Sequence, residues 1–343
     1  MIDWVTALLP CLHVPIDAGY VTKTTTGGEI EWQTRCRDSV KNSYDQGITI
    51  KSDGGNGEDM ATHLLISGNP SKFLQGHNVF GSCELIPLLF DVYMDVCAAK
   101  GLQPSQEETA SVQRGDYRII NIDFNQSFEL PSRADVLAWI RGMEFKAKTR
   151  HGRPSRKGGT LYFGKGSSRW KMKFYCKGEE LDAGKQHKLP DELEHTPIKG
   201  WADNKLRGEL TLLAKELKEL GLTIARDLTR NVLKSIFFEY LRKIDMNEQM
   251  TLSSEEQMGL PTKLQSTYLH WINGVDLRGI LPESTYYRHR KGLLEHGIDI
   301  AIRKETADRS NVIPMIRVLE AKPASIPLWA FEQGLVHHSA MRA

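Results

Sequence analysis

Between residues 146 and 178 the chain carries eleven Lys or Arg and no Asp or Glu. Inside that stretch, Trp170-Lys-Met-Lys-Phe-Tyr-Cys-Lys177 alternates apolar and polar residues with the two-residue period of a strand. Trp170, Met172, Phe174 and Cys176 share one face; Lys171, Lys173, Tyr175 and Lys177 share the other. A single tyrosine among three lysines suits attack on a phosphodiester. The cations draw in the nucleic-acid backbone and lower the cost of ionising a phenol whose ordinary pKa is about 10. Tyr175 is therefore a candidate nucleophile toward DNA. The same alternation also describes an edge strand with a solvated basic face.

Tyrosine chemistry on DNA requires that the scissile phosphate be neutralised and the leaving 3′ oxygen stabilised, commonly by a divalent metal held by carboxylates or histidine. Acids are thus expected on the sheet face that carries Tyr175. Asp123 lies in a β-branched run, Tyr117 to Phe124, with Asn121, Asp123 and Asn125 at its odd positions. Burying an unpaired Asp there is costly, so it is either ion-paired or a ligand. In Leu206-Arg-Gly-Glu-Leu-Thr-Leu-Leu213, Arg207, Glu209 and Thr211 alternate against Leu206, Gly208, Leu210 and Leu212. Lys148, Arg150, Arg153, Arg156, Lys157, Arg169, Lys171 and Lys173 are the cations expected to grip the DNA.

These residues need a sheet to position them. Strands are expected at 29–35, 46–51, 61–67, 117–124, 160–165, 169–177 and from 206, and helices at 83–100, 133–145 and from Ala214. The layout is α+β: an antiparallel sheet with helices packed on one side, as a palm, followed by a mainly helical C-terminal region. The expected division is 1–223 and 224–343. In the second part, 225–244, 261–274 and 281–297 read as helices. Arg288, Arg290 and Lys291 on the last could dock a DNA groove, or the helix could serve generic packing. Of the rival tyrosines, Tyr286 and Tyr287 diverge by about 100° on a helix and read as one packed, one exposed; Tyr162 reads as structural.

The formal charge of +2 conceals this asymmetry, because acids such as Glu179, Glu180, Asp191 and Glu192 offset the basic segment elsewhere. A polyanion would be held at one face. Five scattered cysteines form no C-x-x-C pair and no zinc spacing, which fits free thiols in a reducing cytosol. The start lacks a signal peptide, and no apolar run is long enough to span a bilayer. A soluble, intracellular protein is expected.

Phe73-Leu-Gln-Gly-His-Asn-Val-Phe-Gly81 closely resembles a motif of the filamentous-phage replication initiators, the gene II protein family. The resemblance extends over most of the chain. It includes Ile122-Asp123, Phe174-Tyr-Cys-Lys-Gly-Glu-Glu-Leu181 around the family's nucleophilic tyrosine, the Arg-x-Glu stretch Leu206-Arg-Gly-Glu209, and Ser310-Asn-Val-Ile-Pro-Met-Ile-Arg317. It implies rolling-circle replication in the host bacterial cytoplasm: a strand-specific nick in the phage origin, with the 5′ phosphate carried on tyrosine. The free 3′ hydroxyl primes a host polymerase, a host helicase acts alongside, an oligomer forms on origin DNA, and the displaced strand is rejoined into a circle. Because transfer back conserves the bond energy, no ATP is needed, in keeping with the absence of a Walker motif.

Carried over residue by residue, the resemblance makes Tyr175 the nucleophile and Lys177 a phosphate-side cation. Asp123 and Glu209 become ligands for Mg²⁺ or Mn²⁺, with Arg207 beside them contacting DNA. His77 is either a ligand, an orienter of the phosphate, or a shaper of a Gly-rich turn. Tyrosine nickases commonly carry a His-hydrophobic-His metal motif, and none of the eleven histidines gives that spacing, so a carboxylate site is expected. The chain is also shorter than the best-known members. Two rival functions remain: a non-catalytic DNA-binding regulator, and a metal nuclease attacking with water.

Overall fold

A computed structural model of the chain describes residues 1–146, 154–184, 187–244, 254–296, 298, 300–301 and 323–339. Its strands are β1 (Ile2–His13), β2 (Tyr20–Thr24), β3 (Ile30–Arg35), β4 (Asp38–Lys41), β5 (Gly47–Asp53), β6 (Ala61–Gly68), β7 (Arg118–Glu129), β8 (Ser155–Lys157), β9 (Thr160–Phe163), β10 (Trp170–Cys176) and β11 (Lys205–Leu212). The helices are α1 (Pro70–Gln75), α2 (Leu85–Lys100), α3 (Gln106–Arg114), α4 (Arg133–Lys146), α5 (Lys177–Asp182), α6 (Ile198–Ala202), α7 (Ala214–Glu219), α8 (Arg230–Arg242), α9 (Ser254–Gly259), α10 (Thr262–Ile272), α11 (Leu277–Ile280), α12 (Glu283–Leu294) and α13 (Leu328–Glu332).

Nine strands form one sheet in the order β4-β5-β6-β1-β7-β11-β10-β9-β8, and β2 and β3 form a separate hairpin. Every pairing between these strands is antiparallel, as the α+β expectation requires. Alternation decides which face is buried. Val5, Ala7, Leu9, Ile122, Phe124, Leu210, Leu212, Met172 and Phe174 enter one core with residues of α2, α4 and α8. Trp139 of α4 meets Phe174 edge-on, and Phe237 of α8 lies against Phe124 and Phe128. Gly208 makes this packing possible, since a Cβ there would sit 2.8 Å from the Phe174 ring and 3.1 Å from the Phe237 ring.

Helices are not confined to that side. Over the opposite, polar face, Val79, Phe80, Leu181, Ile198, Ala202, Ala330, Leu335 and Val336 form a second apolar cluster from the 77–80 loop, α5, α6 and α13. The packing also does not end at residue 223, because Leu233, Ile236, Phe237 and Tyr240 of α8 belong to the main core. Farther on, the chain returns to the sheet: Pro323 bridges Phe128, and the Ala324 N–H donates to the Ser127 carbonyl at 2.8 Å. The 260–301 helices have their own cluster, built on Tyr268, Trp271, Tyr286 and Leu293. There Tyr286 is packed and Tyr287 half exposed. Ser310 to Arg317 lies outside the described residues.

Candidate active site

Three strand registers assemble the polar face. Tyr175 stands opposite Arg207, Lys173 opposite Glu209 and Lys171 opposite Thr211. On the other side of β11, Arg207 faces Ser127, Glu209 faces Asn125 and Thr211 faces Asp123. Side chains at paired positions emerge on the same side of the sheet, so Tyr175, Lys173, Glu209 and Asp123 converge as expected. The β1–β7 register shifts between Ile2 and Trp4, and such a bulge re-aims a side chain. Asp3 is the residue at that shift. It joins the same cleft, of about 280 Å³, with Lys173, Tyr175, Glu180 and Glu209.

The Tyr175 hydroxyl donates to Glu209 Oε2 at 3.2 Å. Lys173 Nζ lies 2.5 Å from Glu209 Oε1. The phenol is buried, and burial together with the Glu180 and Glu209 carboxylates pushes its pKa well above 10, against the pull of Arg207. The expectation that clustered cations ease its ionisation is thereby reversed: two carboxylates and the loss of water outweigh them. Burial likewise pushes the Asp123 carboxyl up to about 6, opposed by Lys173 and Thr211. Burial, then Asp3 and Asp123, raise Glu209 well above the carboxylate range. Burial pulls Lys173 down, but Glu209, Asp3 and Asp123 overcome it and hold the ammonium above its usual pKa.

Lys177 enters the site differently from the alternation expected of a strand. The strand ends at Cys176, and Lys177 is the first residue of α5. Gly178 lets the helix seat closely, since a Cβ there would lie 2.7 Å from Asp203 Cα. The Lys177 ammonium is wholly buried, bonded to Asn78 Oδ1 at 2.8 Å and to Glu180. Burial and Arg207 push it down to about 8, against Glu180. It is thus a cation with a removable proton, poised two residues from the phenol. Asn78 also donates to Asp3 Oδ1 at 2.7 Å, beside Asn69 at 2.8 Å. Burial pushes Asp3 up, but Arg207, Lys177 and the Asn78 bond outweigh it and hold the group low.

Several expected roles are corrected by these contacts. His77 accepts from the Val79 N–H on Nδ1 at 3.2 Å and bonds the Leu335 carbonyl through Nε2 at 2.9 Å. Both ring nitrogens are committed, so His77 shapes the loop and offers no lone pair to a metal. Burial, with the Lys177 and Arg207 charges behind it, pushes its pKa down to about 4, so the ring is neutral. Arg207 is fully buried and donates to the Asn78 carbonyl at 2.6 Å, the Val79 carbonyl at 2.7 Å and Ser127 Oγ at 3.2 Å. It braces the 77–80 loop instead of meeting DNA. Arg169 pairs with Glu216 at 2.5 Å and Glu219 at 3.6 Å on α7 and does not line the cleft. Arg156 reaches Glu144 at 3.3 Å and stays exposed, as does Lys157. Lys171 is partly exposed on the polar face. Lys148, Arg150 and Arg153 lie outside the described residues.

Sequence reasoning missed Asp3, Asn78 and Glu180. Asp3 carried the signal that had flagged Asp123, an acid inside an apolar run. Asn78 stood beside His77 in the same motif. Because the buried Arg207 holds two loop carbonyls and one hydroxyl, Arg207→Met is expected to destabilise the fold by about 3–5 kcal/mol. Urea titration measures this, and an unchanged midpoint would refute the bracing role.

Among the described residues, no three His, Cys, Asp or Glu side chains converge as a ready-made metal cage. The donor chemistry still fits a hard cation. Burial, with the Asp3 charge adding to it, raises both Asp123 and Glu209, and Asn121 Oδ1 is a buried oxygen that accepts no hydrogen bond. Mg²⁺ typically takes one or two carboxylates and completes its shell with phosphate and water.

The family model for the N-terminal part of the phage replication-associated gene II protein matches residues 1–231, and the corresponding C-terminal model matches 252–336. The chain is 44% identical over 328 residues, covering 95% of each protein, to the replication-associated gene II protein of Enterobacteria phage I2-2, so it is not short beside that relative. No solved structure matches it. Two matching models and a relative of nearly equal length establish that the chain belongs to the gene II family of phage replication-associated proteins.

Proposed function

We propose that the protein initiates rolling-circle replication of a phage genome by nicking one strand of the duplex origin with Tyr175 and later rejoining the displaced strand. The observation that carries this reading is the Tyr175 hydroxyl bonded to Glu209 within a cleft that also holds Lys173 and Asp3. In the forward step the phenol oxygen attacks phosphorus and its proton passes to Glu209. The P–O3′ bond breaks, and the 3′ oxygen takes a proton, for which Lys177, whose proton is loosened by burial, is the candidate donor. In the reverse step a 3′ hydroxyl attacks the phosphotyrosine and regenerates the phenol, so the bond energy is conserved.

Because burial and carboxylates disfavour the phenolate, the attack needs an acceptor in place as the proton leaves. A divalent cation, Mg²⁺ or Mn²⁺, held by Asp123 and Glu209 would supply charge compensation at the phosphate. The 3′ end serves a host polymerase, unwinding falls to a host helicase, and self-association occurs on origin DNA, all in the host bacterial cytoplasm. No helix among the described residues is long and apolar enough to cross a membrane.

The test is direct. Incubated with supercoiled phage DNA and Mg²⁺, then denatured and digested, the protein should carry a nucleotide on Tyr175 by mass spectrometry. Nicking without an adduct, or an adduct on another residue, would overturn the assignment. A second expectation concerns the basic segment: neutralising Arg153, Arg156 and Lys157 together should weaken binding and flatten its salt dependence by roughly 0.9 per lost phosphate contact. An unchanged slope in titrations across salt concentrations would exclude this segment as a clamp.

A further inference from the structure

We propose that a second cavity, two strands away from the cleft on the same sheet, seats one unpaired nucleotide of the strand being cut. The proposal rests on the nicking function and specifies where the substrate runs. The cavity has a volume of about 530 Å³ and lies between the 79–84 loop, the 124–127 end of β7, the start of α8 and the returning 323–338 segment.

Position is the first argument. Tyr175, Arg207 and Ser127 stand on one register line across β10, β11 and β7, and Ser127 lines the cavity. Two strand spacings are about 10 Å, so the two openings lie close enough for one strand to serve both. Arg207 ties the two together, since the Val79 carbonyl it holds belongs to the cavity wall.

Chemistry is the second. Phe331, 39% exposed and ring-paired with His338 at 5.7 Å, and Phe238 offer faces on which a base can stack. Arg230 and Lys234, exposed on successive turns of α8 and without an ion pair among the described residues, lie at the start of a thirteen-residue helix capped by Thr229. Both the cations and the helix end favour a phosphate there. Glu84 is the only acid among the described lining residues. Asn125, 5% exposed, lines the same cavity with a buried Nδ2 that has no partner, a donor for a base or phosphate oxygen. The volume is that of a small-ligand pocket, which admits a nucleotide and excludes a duplex.

The test uses the full chain and does not depend on nicking. A short single strand of thymidines carrying one 5-iododeoxyuridine is photocrosslinked to the protein and the attachment mapped by mass spectrometry. Attachment is expected at Phe331 or Phe238. By titration, Phe331→Ala and the double change Arg230→Ala, Lys234→Ala should each lower single-strand affinity about fivefold or more, while Phe331→Tyr, which keeps the ring, binds as the parent. Unchanged melting temperatures show that the variants are folded. Crosslinks only elsewhere, parental affinity in Phe331→Ala, or free thymidine monophosphate competing as strongly as the strand would overturn the proposal. An adduct on Tyr175 together with those negative results would remove this site and leave the initiator reading standing; the converse would do the opposite.

Discussion

Tyr175→Phe is expected to abolish nicking and covalent attachment, a loss of about four orders of magnitude or more, while origin affinity and fold survive. The substitution removes one oxygen. What it costs in stability is the bond to Glu209 Oε2, about 1 kcal/mol, because the ring keeps its buried position against β11. Affinity should persist because the exposed cations Arg156, Lys157, Arg230 and Lys234 are untouched. The measurement is relaxation of supercoiled phage DNA beside a binding titration of the same preparation. A protein attacking with water would keep its activity in this variant, and a non-catalytic regulator would show none in either form. Either result would end the case for a tyrosine nucleophile.

The second large effect is expected at the carboxylates. Asp123→Asn or Glu209→Gln should lower Mg²⁺- or Mn²⁺-dependent nicking by several orders of magnitude, and each should weaken Mn²⁺ binding read by electron paramagnetic resonance. Stability should move the other way for Asp123. Its folded pKa, about 6, stands above the unfolded value of about 3.9. The folded state therefore binds more protons between those values, so the penalty of the buried charge is full above pH 6 and is relieved as pH falls toward 4. Asn carries no such charge. Asp123→Asn should then be more stable than the parent at pH 7.5, by on the order of 3 kcal/mol, with the difference vanishing near pH 4. Unfolding titrations at the two pH values check the sign. Nicking by the parent should likewise decline as acid protonates Asp123, whose carboxyl stands at about 6, and Glu209, which is raised well above its usual range, and added metal should shift that decline to lower pH, since a bound cation favours the ionised carboxyl. Full activity and full Mn²⁺ binding in Asp123→Asn would remove it from the ligand set.

What can be read from the chain alone is whatever depends on local period. β7, β10 and β11 were legible because alternation assigns faces within a few residues, and that is enough to bring Tyr175, Lys173, Glu209 and Asp123 onto one surface. The Arg-Gly-Glu stretch of β11 resolved as strand followed by helix for the same reason. Strand β1, twelve residues long and next to β7, was not expected, because its near-continuous burial leaves little alternation to detect.

The tertiary structure decided what each charge does. His77 meets Leu335 across 258 positions, and Arg207 meets Asn78 across 129, so neither role is written in its neighbours along the chain. A one-residue register shift in β1 brings Asp3 to the cleft, and the strand-to-helix break at Cys176 buries Lys177. Sequence named the groups able to attack a phosphodiester. Only folding determined that Tyr175 rests as a neutral phenol, because the cost of an ion is set by the water removed around it and by charges brought in from remote parts of the chain.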